Sequence, residues 1–434
     1  MTTTKLNFED ARARARLIKE REQALENPAI VTTVKDVLGQ IRRRGDAAVR
    51  QYTQQFDGAA IKPSQLRVSQ EALKASVKSL TPARRKAIRE SIAGVSAFHK
   101  RTVPKNWRAK NPHGATVGEA FYPIERCGLY IPGGQVPLVS TVIMTAIPAK
   151  LAGVPQVVVC TPPQADGSVD QGLLAALYLS GVSEVYKVGG IQALGAMAYG
   201  TKTIARVDKV YGPGNAYVME AKRQLFGQVG VDLLPGPSEV LVVTDGTAKP
   251  VYVAADLLAQ AEHGTGKEKI YLIATSNKLI DAVDREIEAQ LPHLSRAAQI
   301  KAVMKKHYTV VKVSNLNQAA EAANLIAAEH LELHVAPKQQ EAMVRKITTA
   351  GAILIGDQTP TVLGDFVAGP SHTLPTDRTG RFFSGLQVWD FMRRTSLLKY
   401  NARSAAKAWP TVKAFGEMEK LDAHSRSLKL RVDP

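Results

Sequence analysis

Five short stretches carry side chains that can do chemistry. Gln260 and His263 stand three residues apart at the end of an apolar, helix-like run. Residues at that spacing share one helix face, so both can address one ion or ligand. Taken alone the pair says little, because a histidine near a helix end is more often a cap and glutamine is an uncommon metal ligand. Glu329 and His330 are adjacent. A carboxyl and an imidazole have different pKa values, which suits general acid–base work. The segment 363–376 is rich in turn residues and bears Asp365 and His372, seven positions apart. Ordered loops with such groups often hold sites, and a plain connection is the equal alternative. Glu419 and His424, five apart, can converge only if the chain breaks between them. Three glycine turns complete the set: Gly128 to Gly134 with Tyr130, Gly189-Gly190-Ile-Gln192, and Gly212-Pro-Gly214-Asn215. Each follows, or can follow, a strand and precedes a helix, where backbone N–H groups can cradle phosphate. The usual dinucleotide fingerprint, G-x-G-x-x-G, is absent.

The elements needed to position these residues are legible from periodicity. Residues 1–110 read as helical, with apolar positions recurring at three and four and breaks at Gly45-Asp46 and Asp57-Gly58. From about 125 to 245, short apolar runs at 156–161, 184–188, 209–211 and 239–244 alternate with helical stretches such as 173–180 and 216–226. The alternation resumes with a helix at 251–262, a strand at 269–275, a helix at 281–290 and strands at 308–313 and 352–355. Strand, turn, helix, strand is the pattern of parallel α/β units. The tail at 404–430 reads as helical.

Composition narrows the class. A chain of 434 residues is too long for one ordinary core. Its 45% hydrophobic and 22% charged residues fit a globular protein. The uncharged stretch 127–149 is interrupted by Pro132, Gly133, Gly134, Pro137 and Pro148, which works against a membrane span. It reads as a glycine-rich turn followed by a buried helix. Two cysteines, Cys127 and Cys160, cannot build a disulfide framework, and a reducing cytoplasm is expected. The net charge is +18, and residues 1–110 hold 24 basic against 10 acidic residues. A nucleic-acid or membrane patch is one reading of that excess. Solvated helix faces are the other, and the absence of interleaved aromatics favours it.

The candidate stretches occur in one order: GLYIPGG, STVIMTAIPAKLAGVP, VGGIQALGAMAYGT, YGPGNAYV, GPSEV, AADLLAQAEHG, AEHLEL, GDFVAGPSHTLPT and EKLDAH. In that order the chain closely resembles the histidinol dehydrogenase family, from about residue 30 to the end. The resemblance implies an α/β fold of two Rossmann-like parallel-sheet units with small N- and C-terminal helical segments, in a domain-sharing homodimer. The expected division is 1–26, a discontinuous domain of 27–128 with 240–385, an inserted domain 129–239, and a tail 386–434 reaching the partner. It implies Gln260, His263, Asp365 and His424 as zinc ligands, with His424 crossing between subunits. Glu329 and His330 become the acid–base pair, Ser238, His372 and Glu419 substrate contacts, and Tyr130, Gln192 and Asn215 NAD contacts. The implied reaction is the oxidation of L-histidinol to L-histidine with two NAD. The chain departs from the family pattern at Ala328, Phe366, Ser371, Lys420 and Asp377-Arg378. Two rivals remain: a related zinc/NAD dehydrogenase of sulfonated diols, and a basic nucleic-acid-binding scaffold without catalysis. His372 and Glu419 speak against the first, and the intact Glu329, His330 and ligand set against the second.

Overall fold

The computed structural model describes residues 4–19, 27–133, 137–263 and 265–433. The chain opens with β1 (Thr4–Asn7) and α1 (Ala11–Lys19). Helices α2 (Pro28–Arg44), α3 (Asp46–Asp57), α4 (Gln70–Ser79) and α5 (Pro82–His99) follow, then β2 (Trp107–Lys110) and β3 (Thr116–Pro123). The helix starts are written locally. Asn27, Ser69 and Thr81 each accept a backbone N–H of the first turn, and prolines open α2 and α5. Gly45 and Gly58, both at positive φ, end α2 and α3 where the sequence places breaks.

The next segment is a five-stranded parallel sheet in the order β6-β5-β4-β7-β8. It runs β4 (Arg126–Tyr130), α6 (Val139–Leu151), β5 (Gln156–Thr161), α7 (Gln171–Leu179), β6 (Glu184–Lys187), α8 (Gly190–Tyr199), β7 (Lys209–Tyr211), α9 (Ala216–Leu225) and β8 (Gly230–Val231). Gly128 to Tyr130 are therefore strand rather than turn, and Gly134 lies outside the described residues. Alternate residues of each strand serve two cores. Cys127, Leu129 and Val159 pack among α4, α5, α6 and α7. Val158, Cys160 and Tyr186 pack among α2, α3, α8 and α9. The helices of 28–99 cover the 126–231 sheet, their apolar faces burying its two sides.

A six-stranded parallel sheet follows, in the order β1-β11-β10-β9-β12-β13. Its parts are β9 (Glu239–Thr244), α10 (Pro250–Ala261), β10 (Lys269–Ala274), α11 (Asn277–Gln290), α12 (Ala297–His307), β11 (Tyr308–Lys312), α13 (Leu316–Ile326), β12 (His330–His334), α14 (Pro337–Lys346), β13 (Ala352–Ile355) and α15 (Thr361–Phe366). Val240 and Val242 face α10, α11 and α12, while Leu241 and Val243 face α1, α13 and α14. β1 pairs with β11 at this sheet's edge, so the N-terminal segment is part strand and not wholly helical. Residues 20–26 of that segment lie outside the described residues.

A third sheet, β2-β3-β14, is antiparallel and was not foreseen. Its strand β14 (Met392–Lys399) lies in the tail and precedes α16 (Ala402–Glu419) and α17 (Asp422–Val432), which pack on each other. Largely exposed and rich in basic residues, β2 and β14 lack the alternation that would mark them. Among the described residues, no helix is long and apolar enough to cross a membrane.

Candidate active site

The acid–base candidates sit at the amino end of the larger sheet. β12 begins at His330 and is buried throughout. Its residues alternate: Leu331 and Leu333 enter the core with α13 and α14, which turns His330, Glu332 and His334 to the opposite face. That face is shared by α10 and α15.

The peptide groups of Glu239, first residue of the neighbouring β9, hold the pair in place. Its N–H donates to Glu329 Oε2 at 2.9 Å, and its carbonyl faces His330 Nδ1 at 3.3 Å. The carbonyl requires Nδ1 to carry the proton, leaving the Nε2 lone pair free. Glu239 is anchored in turn by Lys269 Nζ at 3.1 Å and by the N–H of Asp377 at 3.3 Å. Burial pushes the Glu329 carboxyl well above its usual range, and the charges of Glu239, Asp365 and Asp377 add to it against the Glu239 N–H. Burial also lowers His330 to about 4, so its imidazole is neutral.

Asp365 and His372 gather beside His330 Nε2. Asp365 Oδ1, on α15, lies 3.6 Å from it and 3.7 Å from His372 Nδ1. Burial, then the charge of Glu332, raises Asp365 to about 7. His372 is lowered to about 3 by burial and by the neighbouring His330 and His263. Its Nε2 meets Thr141 Oγ1 of α6 at 3.3 Å, and Ser371 Oγ donates to the Met144 carbonyl at 3.1 Å. The late loop thus docks onto the smaller sheet's helix. His263, just past α10, keeps an exposed face, yet surrounding protein lowers its pKa. Gln260 is 2% exposed, and neither its Oε1 nor its Nε2 has a partner among the described residues. A buried amide with nothing to bond is costly and calls for a ligand. Amide oxygen, imidazole nitrogen and carboxylate oxygen together form a donor set that suits zinc. Ser238 lies just before β9 and accepts the N–H of Lys269 through its carbonyl.

Glu419 and His424 are not brought to this cluster by their own chain. Both are exposed, and among the described residues no hydrogen bond or ion pair joins either to Gln260, His263 or Asp365. The break between them exists: Lys420, at φ 55, separates α16 from α17.

The glycine-turn residues gather at the carboxyl end of the smaller sheet. Gly190 N–H donates to Tyr130 Oη at 3.2 Å. Gln192, fully buried, donates from Nε2 to Asp57 Oδ2 at 3.0 Å, and its Oε1 lacks a partner among the described residues. Burial raises Asp57 to about 6 against hydrogen bonds from Gly189 and Gln192. Asn215 is exposed and caps α9 by accepting the N–H groups of Tyr217 and Val218.

Residues 20–432 match the family model of histidinol dehydrogenase. A histidinol dehydrogenase of Bradyrhizobium diazoefficiens is 43% identical over 98% of this chain and 97% of its own. One from Rhodopseudomonas palustris is 44% identical over 97% and 96%. The chain belongs to the histidinol dehydrogenase family. A solved histidinol dehydrogenase structure, from Elizabethkingia anophelis, superposes with a TM-score of 0.94 at 33% identity, covering 99% of this chain and 98% of that one.

Within this histidinol dehydrogenase framework the site holds residues that motif reading missed. Asp256, Glu332 and His334 lie behind the candidate ligands, with ligand atoms all within 4.8 Å of one another. By spacing alone that triad could hold a metal such as zinc. A signal for it was present: His330-Leu-Glu332-Leu-His334 alternates strictly, and Asp256 and Gln260 on α10 and His263 just past it recur at intervals of four and three. Glu239, Thr141 and Asp57 carried no such mark, since their contacts are all distant in sequence.

Proposed function

We propose that the protein oxidises L-histidinol to L-histidine in two NAD-linked steps at the amino end of the larger sheet, as a zinc-dependent cytoplasmic homodimer. The observation that carries this reading is the buried Gln260 amide, unpartnered among the described residues, one helical turn before His263, together with the approach of Asp365 to His330. Gln260, His263 and Asp365 would hold zinc, with His424 of the partner subunit completing the set. Exposure of the α16–α17 hairpin supports that crossing. Zinc bound there supplies a Lewis acid and an anchor for the substrate's nitrogens.

The chain's own residues perform the proton work. Neutral His330, with Nδ1–H held by the Glu239 carbonyl, accepts the hydroxyl proton at Nε2 as hydride passes to NAD. His372, Ser238 and the partner's Glu419 orient the substrate. The aldehyde stays bound, and Glu329, its carboxyl pushed up by burial, assists water addition before the second hydride leaves. Tyr130, Gln192 and Asn215 contact NAD at the carboxyl end of the smaller sheet, the usual ligand edge of such sheets. The test is NADH released per L-histidinol, with and without a zinc chelator. Two NADH per histidinol, lost on chelation and restored by zinc, is the expected result. No turnover by folded, zinc-loaded protein sinks it and sends the search to sulfonated diols. In the same assay, His424→Ala subunits mixed with His263→Ala subunits regain activity; mixed dimers without activity sink the crossing.

A further inference from the structure

Asp256, Glu332 and His334 form a buried cluster one layer behind the proposed zinc ligands. Glu332 is 0% exposed. Its Oε1 accepts both the N–H and the hydroxyl of Thr361, each at 2.7 Å. Its Oε2 faces His334 Nε2 at 3.1 Å, which also lies 3.4 Å from Asp256 Oδ2. His334 Nε2 thus stands between the Asp256 and Glu332 carboxyls and links α10 to β12. Burial and the charge of Glu332 raise Asp256 far above the carboxylate range. Burial pushes Glu332 up too, but His334, Asp256 and Thr361 beside it outweigh burial and hold it ionised. Glu332 thus accepts three hydrogens, two from Thr361 and one from His334, and Asp256 shares the last.

These contacts join three elements, and each element also carries a residue of the site. Asp256 stands one turn before Gln260 on α10. Thr361 stands one turn before Asp365 on α15. Glu332 and His334 continue the face of β12 that begins with His330. We propose that Glu332 is a positioning residue, the hub of a hydrogen-bonded clamp that fixes α10, α15 and β12 and thereby sets the spacing of Gln260, His263 and Asp365. The proposal rests on those three being zinc ligands. A metal in the cluster itself would have to displace the hydrogen that His334 directs at Glu332 and Asp256.

The test measures zinc affinity of the full-length protein by competition with a chromophoric chelator, with folding followed by circular dichroism and NAD affinity by calorimetry. Glu332→Gln replaces one acceptor with a donor and is expected to weaken zinc binding about 10–100-fold while NAD affinity stays unchanged. Asp256→Asn keeps an oxygen for His334 Nε2 and is expected to stay within about threefold of wild type. Should Glu332→Gln not fold, Thr361→Val removes one of the three bonds to Glu332, with an expected loss of about threefold to tenfold. Unchanged zinc affinity in folded Glu332→Gln, or in Thr361→Val, overturns the proposal. So do two metals per chain, one of them lost in both Asp256→Asn and Glu332→Gln. His263→Ala serves as the reference: if it too leaves zinc affinity unchanged, the ligand reading itself has failed, whereas zinc loss in His263→Ala alone sinks only the clamp.

Discussion

The two parallel sheets present opposite edges to chemistry. In the smaller sheet, Tyr130, Gln192 and Asn215 gather where strands end and α8 and α9 begin. In the larger sheet, Glu329 and His330 stand where β12 begins, beside the last turns of α10 and α15. The difference is electrostatic. Helix N-termini offer unpaired N–H groups and a partial positive charge, which suit an anionic dinucleotide. Helix C-termini offer carbonyls and a partial negative charge, which suit a cation. Identical strand–helix units can thus serve an anion at one edge and a metal with an amine substrate at the other. The Ser371 and His372 contacts to α6 bring the late loop of one unit against the other.

This contrast can be broken by crossing the two edges. His263→Ala is expected to lose bound zinc and at least about a thousandfold in histidinol oxidation, with NAD affinity retained. Gln192→Ala is expected to raise the KM for NAD about tenfold with zinc content unchanged. Metal analysis and steady-state kinetics on both variants decide the matter, and a zinc deficit in Gln192→Ala would merge what are here two separate edges. A smaller effect tests the cofactor edge alone. Asp57 is raised to about 6 by burial, above its value in an unfolded chain. Its stabilising contribution is therefore complete below about 3.9 and is lost as pH rises through 6. Asp57→Asn should raise Tm relative to wild type at pH 7.5 and leave it nearly unchanged at pH 4. An equal shift at both values would mean that the carboxyl does not titrate there. The smallest effect lies in the C-terminal hairpin. Lys420 holds φ 55, a left-handed conformation that strains side chains. Lys420→Gly is expected to stabilise by about 0.5–1 kcal/mol in denaturant unfolding, and a loss of stability would show that the lysine side chain earns its place through packing.

Much of the larger sheet was legible because its strands are short apolar runs separated by capped helices. The strands at 269–275 and 308–313 needed only periodicity and appear within a residue of their observed ends. β12 was harder. Its outward face is His330, Glu332 and His334, so a hydrophobicity reading sees a polar dipeptide motif rather than a buried strand. The antiparallel sheet was missed for a related reason, since β14 is strand only because β3 pairs along its whole length. Among site residues, Gln260 with His263 and Glu329 with His330 were visible as neighbours. Asp57, Thr141 and Glu239 were invisible, because each acts through a partner far away in the chain.

By itself the sequence determined the alternating α/β plan, the helix caps, the absence of a cysteine framework and the set of side chains available for chemistry. These follow from residue type and short-range spacing. Only the tertiary structure decided that the helices of 28–99 cover the smaller sheet, that Glu239 lends its peptide to the Glu329–His330 pair, and that Glu332 and His334 tie three elements together. Those facts depend on which buried polar groups find each other when two sheets pack. That choice is governed by the cost of leaving a buried donor or acceptor unpaired, and no local pattern encodes it.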